Sequence, residues 1–179
     1  MKAREEYALI LDYLPYGYPM EKKRLPIAQA IGVNSFVLLE VVPRKGVTLE
    51  PRERVYIGPE KRDKIYFIAG RLKREKLTET AKLVLQEFIS NAVSEREKEF
   101  VEFFNRASAI NTRLHQLELL PGFGKKNFRD VLQAREEKPF ESFDDIKQRV
   151  KGIPDPRKAV ERRIYEELTE RQRFNLFVR

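Results

Sequence analysis

Two different spacings of hydrophobic residues divide this chain. Before residue 72, apolar and aromatic residues occur in short runs that Pro, Gly and charged residues separate. Runs of this kind predict β-strands, and short strands at this spacing are typical of a small barrel. We therefore predict a β-barrel over residues 1–72. Its strands are expected at Tyr7–Leu11, Phe36–Val42, Arg54–Ile57 and Lys64–Ile68.

Beyond this segment, apolar residues recur every three or four positions, which is the spacing of one face of an α-helix. Residues 73–109 are predicted to form connecting helices, and residues 110–179 a helical domain. The predicted fold class is therefore α+β. In the last domain, we expect helices at Ile110–Leu119, Lys125–Arg135, Phe143–Val150 and Arg157–Leu168.

The turn between the first two of these helices, residues 120–126, reads LPGFGKK. Gly122 and Gly124 lack a Cβ atom, so they can adopt conformations that let another backbone approach closely. The helix that follows opens with unpaired N–H groups, and its positive end, together with Lys125 and Lys126, favours an anion. A turn of this kind can bind a phosphate group. The alternative is that it only ends one helix and reverses the chain.

A weaker version of the same pattern, KGIPDP, occupies residues 151–156. Gly152 and Ile153 match its first half, whereas Pro154 replaces the second glycine and Asp155 adds a negative charge. We predict that this second turn packs against the first and has a structural purpose. The basic residues after it remain candidates for contact with a nucleic-acid backbone: Arg157, Lys158, Arg162 and Arg163.

The charge balance favours a polyanionic partner. The chain has 179 residues, with 36 Lys and Arg against 28 Asp and Glu, and its formal net charge is +8. Nucleic acid fits better than a membrane, because no segment has the length and apolarity of a spanning helix. The N-terminal residues are charged from the start, which predicts no secretory signal and a soluble, cytoplasmic protein.

The absence of Cys excludes disulfides, iron–sulfur clusters and thiolate zinc sites, and we expect no cofactor. The single histidine, His115, falls inside a predicted helix, so we expect a partly buried or surface residue rather than a general base. The 36% of charged residues, with no Cys and two Met, is a composition typical of hyperthermophile proteins.

Six of the seven tyrosines precede residue 70, and several lie close to basic residues. Aromatic rings interleaved with cations can stack unpaired nucleobases, at about 1–3 kcal/mol per base, as in OB-type barrels. Tyr7, Tyr56 and Tyr66 fall inside predicted strands, where an aromatic ring more often fills the core. The candidates for a stacking surface are Tyr16, Tyr18, Lys22, Lys23 and Arg24.

The LPGFGKK turn resembles the helix-hairpin-helix motif, which in many DNA- and RNA-handling proteins holds the sugar-phosphate backbone without reading bases. The chain departs from that motif at Phe128, where a small residue is usual, and this bears on how closely the two helices pack. The candidate phosphate-binding residues are Gly122, Phe123, Gly124, Lys125, Lys126 and Arg129, with Gly152, Arg157 and Lys158 from the second turn.

The whole order of parts resembles an archaeal family, domain-of-unknown-function family 655, which is described as predicted to bind nucleic acid and RNA in particular. The resemblance covers the barrel, the middle helices, the hairpin and the following residues 138–146. It implies an OB-type barrel joined to a helix-hairpin-helix domain, with RNA rather than DNA as the partner. It implies no catalytic residues.

An enzyme is a rival class. DNA glycosylases with this motif take a catalytic Asp from a downstream Gly-Pro-Asp stretch, which residues 152–155 resemble faintly. However, Ile153 interrupts that stretch, and too little helix surrounds it to enclose a flipped base. Glu141, Asp144 and Asp145 lie close in sequence, as the ligands of a metal nuclease would, but they also suit the first turn of a helix. We therefore expect no catalysis.

A protein-binding adaptor is the third class, because the apolar residues 174–178 can dock on a partner or on the barrel of the same chain. Salt distinguishes the two kinds of binding, since phosphate contacts weaken steeply with salt and apolar contacts do not. The expected function is non-catalytic nucleic-acid binding, with RNA favoured over DNA. The sequence determines neither the natural target nor the oligomeric state.

Overall fold

The structure is a computed structural model that describes residues 4–179. Residues 1–3, where the predicted barrel domain begins, lie outside the described residues. The chain divides into two compact units. The first consists of the residues up to Glu87 together with Leu168–Arg179, and the second of Phe88–Glu167. The predicted connecting segment, residues 73–109, is therefore shared between these units.

The first unit is built on a curled, antiparallel five-stranded sheet that forms a half-barrel. The strands pair in the order β4-β1-β2-β3-β5, so β4 and β5 lie at its two ends. Small and branched side chains fill the core of the sheet, including Ala8, Ile10, Ala30 and Val41. The strands are β1 Tyr7–Leu14, β2 Ile27–Gly32, β3 Leu38–Pro43, β4 Arg54–Tyr56 and β5 Ile65–Arg71.

Strand β2 was not predicted from the sequence. Its residues, IAQAIG, include two alanines and a glutamine, which have little preference for strands. The strand is nevertheless buried, and Gln29 is 0% exposed. Its amide donates to the Lys76 carbonyl at 2.7 Å and to the Tyr18 hydroxyl at 3.1 Å, and accepts from the Thr78 N–H at 3.1 Å. Tertiary hydrogen bonds therefore compensate for burying this polar side chain.

Within residues 4–179, five α-helices follow the sheet, and the helical periodicity is confirmed except at residues 110–119. In the second unit, Phe104 is fully buried, and its ring lies 6.2 Å from that of Phe123 and 6.4 Å from that of Phe143. The helices are α1 Glu79–Glu95, α2 Glu97–Arg106, α3 Lys125–Glu137, α4 Phe143–Arg149 and α5 Pro156–Thr169. The last three coincide with predicted helices to within two residues at each end.

The predicted helix over Ile110–Leu119 is wrong. A β-bridge between Ala109 and His115 closes an irregular turn, and only Gln116–Leu119 form a single 3-10 turn. His115 precedes that turn: its Nδ1 accepts the Leu117 N–H at 3.1 Å, while its own N–H donates to Glu118. This reciprocal capping holds His115 outside any helix. The leucine spacing that suggested a helix instead places Leu117 and Leu120 in the core.

Candidate functional site

The turn before α3 is anchored by one buried side chain and left open by its glycines. Phe123 is 5% exposed, and its N–H donates to the Leu120 carbonyl at 3.0 Å. Gly122 has a φ of 81°, in the left-handed region that favours glycine. Because Phe123 points into the core, Gly122 and Gly124 are presented at the surface.

Gly124 is the residue that precedes the first turn of α3, and it leaves that helix end uncapped. Its backbone is extended, with φ −94° and ψ −175°, and no side chain accepts a hydrogen bond from the first turn. The first turn of α3 has no acidic residue, and Lys125 and Lys126 are both exposed. Asn127 donates its side-chain amide to the Gly122 carbonyl at 3.1 Å, which ties the helix to the turn. The result is an open, positively charged helix end.

The helix that follows the second turn, α5, has a capped N-terminus. Asp155 stands immediately before α5, and its Oδ1 accepts the N–H groups of Arg157 at 3.0 Å and Lys158 at 3.2 Å. A carboxylate at this position satisfies the free N–H groups and neutralises the positive helix end. The two turns therefore share a left-handed glycine, Gly152 having a φ of 77°, but only the first has an open helix end.

The two turns lie against each other. A Cβ atom built on Gly122 would stand 3.0 Å from Cγ of Pro154, so a side chain at this position would crowd the proline. Beside them is a cavity of about 380 Å³ that Lys126 lines from α3 and Lys151 from the second turn. Asp130 and Glu137 also line it, so the surface combines cations with carboxylates.

The other basic candidates near the turns differ in how free their side chains are. Arg129 and Lys158 are exposed. The guanidinium of Arg157 instead contacts Glu161 at 3.0 Å and donates to the Ser94 hydroxyl. Arg163 is 6% exposed and pairs with Glu167, which places it inside the second unit. Arg162 pairs with Glu166 at 3.0 Å, so three of the four basic residues after the second turn pair with a carboxylate of α5, and only Arg163 is buried.

The candidate stacking surface of the first unit is only partly available. Tyr16 is 77% exposed, and Lys22, Lys23 and Arg24 are exposed as well. Tyr18 is half-buried: its hydroxyl donates to Glu40 at 2.6 Å, and Lys76 lies 4.6 Å from the centre of its ring. Burial, the hydrogen bond to Glu40 and nearby carboxylates raise the pKa of Tyr18.

Two aromatic residues that the sequence did not single out as ligand contacts lie at the surface of β5. Tyr66, which falls in a predicted strand and was expected to fill the core, is 64% exposed, and Phe67 is 45% exposed. Their exposure has no signal in the local pattern, because adjacent residues of a strand normally face opposite sides.

The acidic cluster after α3 has a structural explanation. Ser142 caps α4 by accepting the Asp145 N–H at 2.9 Å, and Asp145 accepts the Glu141 N–H and pairs with Arg149 at 3.2 Å. Within residues 4–179, no group of three or more His, Asp or Glu side chains is placed to hold a metal ion. His115 is 8% exposed and stacks on Phe128 at 5.1 Å. Burial, and then the charge of Arg135, lower the pKa of His115.

The apolar tail, residues 174–178, belongs to the same compact unit as the sheet, and its apolar side chains are half-buried there. Across the part of the chain that the structure describes, no helix is long and apolar enough to span a membrane.

Comparison with known proteins places the chain in one family. The family model described as "Protein of unknown function (DUF655)" matches residues 4–179, and the chain belongs to this family. Uncharacterized protein MJ0038 of Methanocaldococcus jannaschii is 45% identical over 177 residues, which cover 98% of this chain and 80% of that protein. The crystal structure of Af1531 from Archaeoglobus fulgidus, of the same family, is 46% identical with a TM-score of 0.83, and covers 98% of this chain and 100% of that one. Both relatives are archaeal.

Proposed function

We propose that this protein binds nucleic acid without catalysing a reaction, by holding a backbone phosphate at the N-terminus of α3. One observation carries the proposal. The N-termini of α3 and α5 follow similar turns, but Asp155 caps α5 whereas Gly124 leaves α3 uncapped. An uncapped helix end has N–H groups without partners and a positive potential, and both favour an oxyanion. Lys125 and Lys126 add two exposed cations at the same place.

The second turn acts in this proposal as a support. Pro154 packs against Gly122, so it holds the first turn in the shape that exposes the N–H groups of α3. Gly152, Arg157 and Lys158 consequently contribute less to binding than Gly122, Phe123, Gly124, Lys125, Lys126 and Arg129. Among these six, Phe123 acts from the core by fixing the turn.

We propose that the segment from His115 to Glu137 is a variant of the helix-hairpin-helix motif, in which a 3-10 turn takes the place of the first helix. Phe128 supports this interpretation, because its ring covers His115 where two closely packed helices would need a small residue. The sheet is proposed to act as an OB-type barrel does, by contacting single strands. In this sheet, β5 pairs with β3 in the antiparallel direction.

We favour RNA over DNA as the ligand because the family resemblance implies it. Contacts to phosphate position a protein without reading sequence, and they are common to both nucleic acids. The preference therefore has to come from the shape of the ligand or from its 2′-hydroxyl groups. A titration that compares the ligands directly decides it.

The test is a fluorescence-anisotropy titration with structured RNA, single-stranded RNA and duplex DNA at two salt concentrations. We expect wild type to bind, with a log–log salt slope of about −0.9 per neutralised phosphate on duplex DNA. A Lys125→Glu/Lys126→Glu variant should lose about ten-fold or more in affinity, and its slope should become shallower by about two phosphates.

The matched control is Lys151→Glu/Lys158→Glu, which changes the net charge equally at the capped turn. It should bind more tightly than the α3 variant. Equal losses would mean that overall charge, and not the open helix end, holds the ligand. If folded wild type binds none of the three ligands, the proposal is wrong and a protein-binding adaptor becomes the leading function.

A further inference from the structure

Two neighbouring aromatic side chains stand at the edge of the sheet, on β5. Tyr66 is 64% exposed and Phe67 45% exposed, and their ring centroids are 5.4 Å apart with an interplanar angle of 77°. Strand β5 is the last strand of the sheet, so no other strand of residues 4–179 pairs with its outer side. The pair is thus accessible on a part of the molecule that is separate in sequence from the turn before α3.

A β-bulge produces this exposure. Pro43 of β3 pairs with Ile65, and the preceding residue Val42 pairs with Phe67. Tyr66 is therefore an extra residue that pairs with no residue of β3. An extra residue interrupts the alternation of inward and outward side chains and redirects the ones beside it. Ile65 stays fully buried, while Tyr66 and Phe67 both reach solvent. The strand therefore presents two adjacent rings that a regular strand would divide between its faces.

Basic residues precede and follow the two rings along the chain. Residues 61–73 contain five Lys and Arg residues and a single acidic residue, Asp63. Lys64 is paired with Glu53, and the Nε of Arg62 donates to the Gly58 carbonyl at 2.9 Å. The other three basic residues of this stretch are exposed: Lys61, Arg71 and Lys73. An apolar, π-rich surface is thereby flanked by positive charge on both sides along the chain.

We infer that Tyr66 and Phe67 stack unpaired nucleobases of single-stranded RNA. The inference rests on the proposed function and names the part of the ligand that the sheet contacts. Aromatic rings flanked by cations are the usual means of holding single strands, because every base has a face that stacks and every linkage has a charge. A duplex keeps its bases stacked inside, so it cannot use this surface.

The size of the patch distinguishes a nucleic acid from a protein partner. A specific protein interface buries about 800 Å² on each side. Two partly exposed rings, at about 150–250 Å² for each whole aromatic side chain, provide far less than that. The exposed cations beside them complement phosphate and would disfavour a purely apolar contact. The surface is therefore better matched to one or two bases and their linkages.

The first experiment compares affinities. Wild type and a Tyr66→Ala/Phe67→Ala variant are titrated with labelled oligouridine, which has no secondary structure, and with an RNA duplex. We expect the variant to bind oligouridine about ten-fold or more weakly and to bind the duplex as wild type does, since one stacked base contributes about a ten-fold factor. A Leu83→Ala variant, whose side chain is 63% exposed on α1, is the matched control and should bind both ligands normally.

The second experiment reports on the ring itself. The chain has no tryptophan, so Tyr66→Trp introduces the only indole. A base stacked on it should quench its fluorescence when unlabelled oligouridine is added, whereas a Leu83→Trp probe should stay unchanged. Circular dichroism and thermal melting confirm that each variant is folded.

The outcomes separate this inference from the proposal on which it rests. If wild type binds duplex and single strand but the Tyr66→Ala/Phe67→Ala variant keeps its oligouridine affinity, stacking is wrong and the phosphate site stands. Equal loss of both ligands in that variant also overturns stacking. If wild type binds neither RNA, the stacking inference is wrong, and the proposed function fails with it when duplex DNA is not bound either. A wild-type dimer that the double substitution turns into a monomer would assign the rings to a contact between copies and overturn the inference.

Discussion

Gly122 and Pro154 meet where the two turns of the second unit pack: a Cβ atom added to Gly122 would lie 3.0 Å from Cγ of the proline. This distance is tighter than nine in ten contacts of real Cβ atoms, so the proline would have to shift by a few tenths of an ångström. Gly122 also has a left-handed φ of 81°. Both the space and the conformation at this position therefore require glycine.

Replacing Gly122 should destabilise the protein more than replacing Gly152, the corresponding glycine of the second turn. Gly152 has a similar φ of 77°, but no atom lies within 4 Å of a Cβ built there. Gly152→Ala should therefore lower the free energy of unfolding by about 1 kcal/mol, which is the cost of the left-handed conformation. Gly122→Ala adds the contact with Pro154 and should lower it by about 2 kcal/mol or more. Urea denaturation measures both, and equal values would show that the contact relaxes freely.

A capping substitution at Gly124 should raise stability and weaken binding together. The backbone there is extended and has open space for a side chain, so Gly124→Asp can cap α3 as Asp155 caps α5. We expect the free energy of unfolding to rise by a few tenths to about 1 kcal/mol, with RNA affinity reduced at least ten-fold.

Gly124→Asn is the neutral control for that substitution, because it caps without adding charge. It should give a similar gain in stability and a smaller loss of affinity. Anisotropy and thermal melting on the same samples test the pair. A Gly124→Asp variant that binds RNA as tightly as wild type would contradict the assignment of the phosphate to this helix end.

The buried ion pair of α5 should be far more sensitive than the exposed pair beside it. Arg163 and Glu167 are joined at 2.8 Å, and their side chains are 8% and 0% exposed. Arg163→Met leaves a buried carboxylate without its guanidinium and should cost about 3–5 kcal/mol. Arg162 and Glu166 have the same spacing and a distance of 3.0 Å, but Arg162 is 71% exposed.

Arg162→Met should consequently cost less than about 1 kcal/mol. Chemical denaturation of the two single variants gives the comparison. An Arg163→Met/Glu167→Leu variant should recover much of the lost stability, because neither charge is then left buried alone. Similar costs for Arg163→Met and Arg162→Met would argue that water reaches Glu167.

His115 should make stability depend on pH in the weakly acidic range. Burial lowers its pKa below the ordinary value of 6.5, and its Nδ1 is occupied as an acceptor by the Leu117 N–H. Below pH 6.5 the unfolded chain binds a proton that the folded protein resists, so the contribution of neutral His115 is present above that pH. It is lost as the pH falls through 6.5 toward the folded value.

The measurement compares wild type with His115→Asn, which keeps a side-chain acceptor at the capping position and does not titrate. The stability advantage of wild type should shrink between about pH 8 and about pH 5. A constant difference across this range would mean that the imidazole is not buried in its neutral form. The carboxylates are common to both proteins, so their contribution to the pH dependence cancels in the difference in stability.

The elements with strong local signals were predicted correctly. The helix after Gly124 has apolar residues at helical spacing, and the helix after Asp155 begins at Pro156, a residue favoured at the first helical position. Strands β1, β3, β4 and β5 have runs of branched and aromatic residues. In each case the local preference and the final environment agree, so tertiary contacts only reinforce what the chain favours by itself.

The two errors have different causes, tertiary contacts at strand β2 and an unusual local cap at His115. Strand β2 has a weak strand sequence and is stabilised by its two neighbours and by the hydrogen bonds of Gln29. The leucines of residues 110–119 have helical spacing, but the capping contacts of His115 start a 3-10 turn instead. The partners of Gln29, Lys76 and Thr78, are distant in sequence, so local preference could not reveal β2. The capping contacts of His115 are local, but histidine is not among the residue types that usually cap a helix.

The sequence by itself determined the α+β class, the two glycine turns, the positive charge, and the replacement of the second glycine by Pro154 with a negative charge at Asp155, because these depend on residue type and short spacing. Only the tertiary structure decided which groups remain available to a ligand. It bound Tyr18 to Glu40, joined Arg157 to Ser94, and placed Tyr66 at the surface through a bulge. Availability depends on partners that are distant in sequence, and those are brought together only by packing.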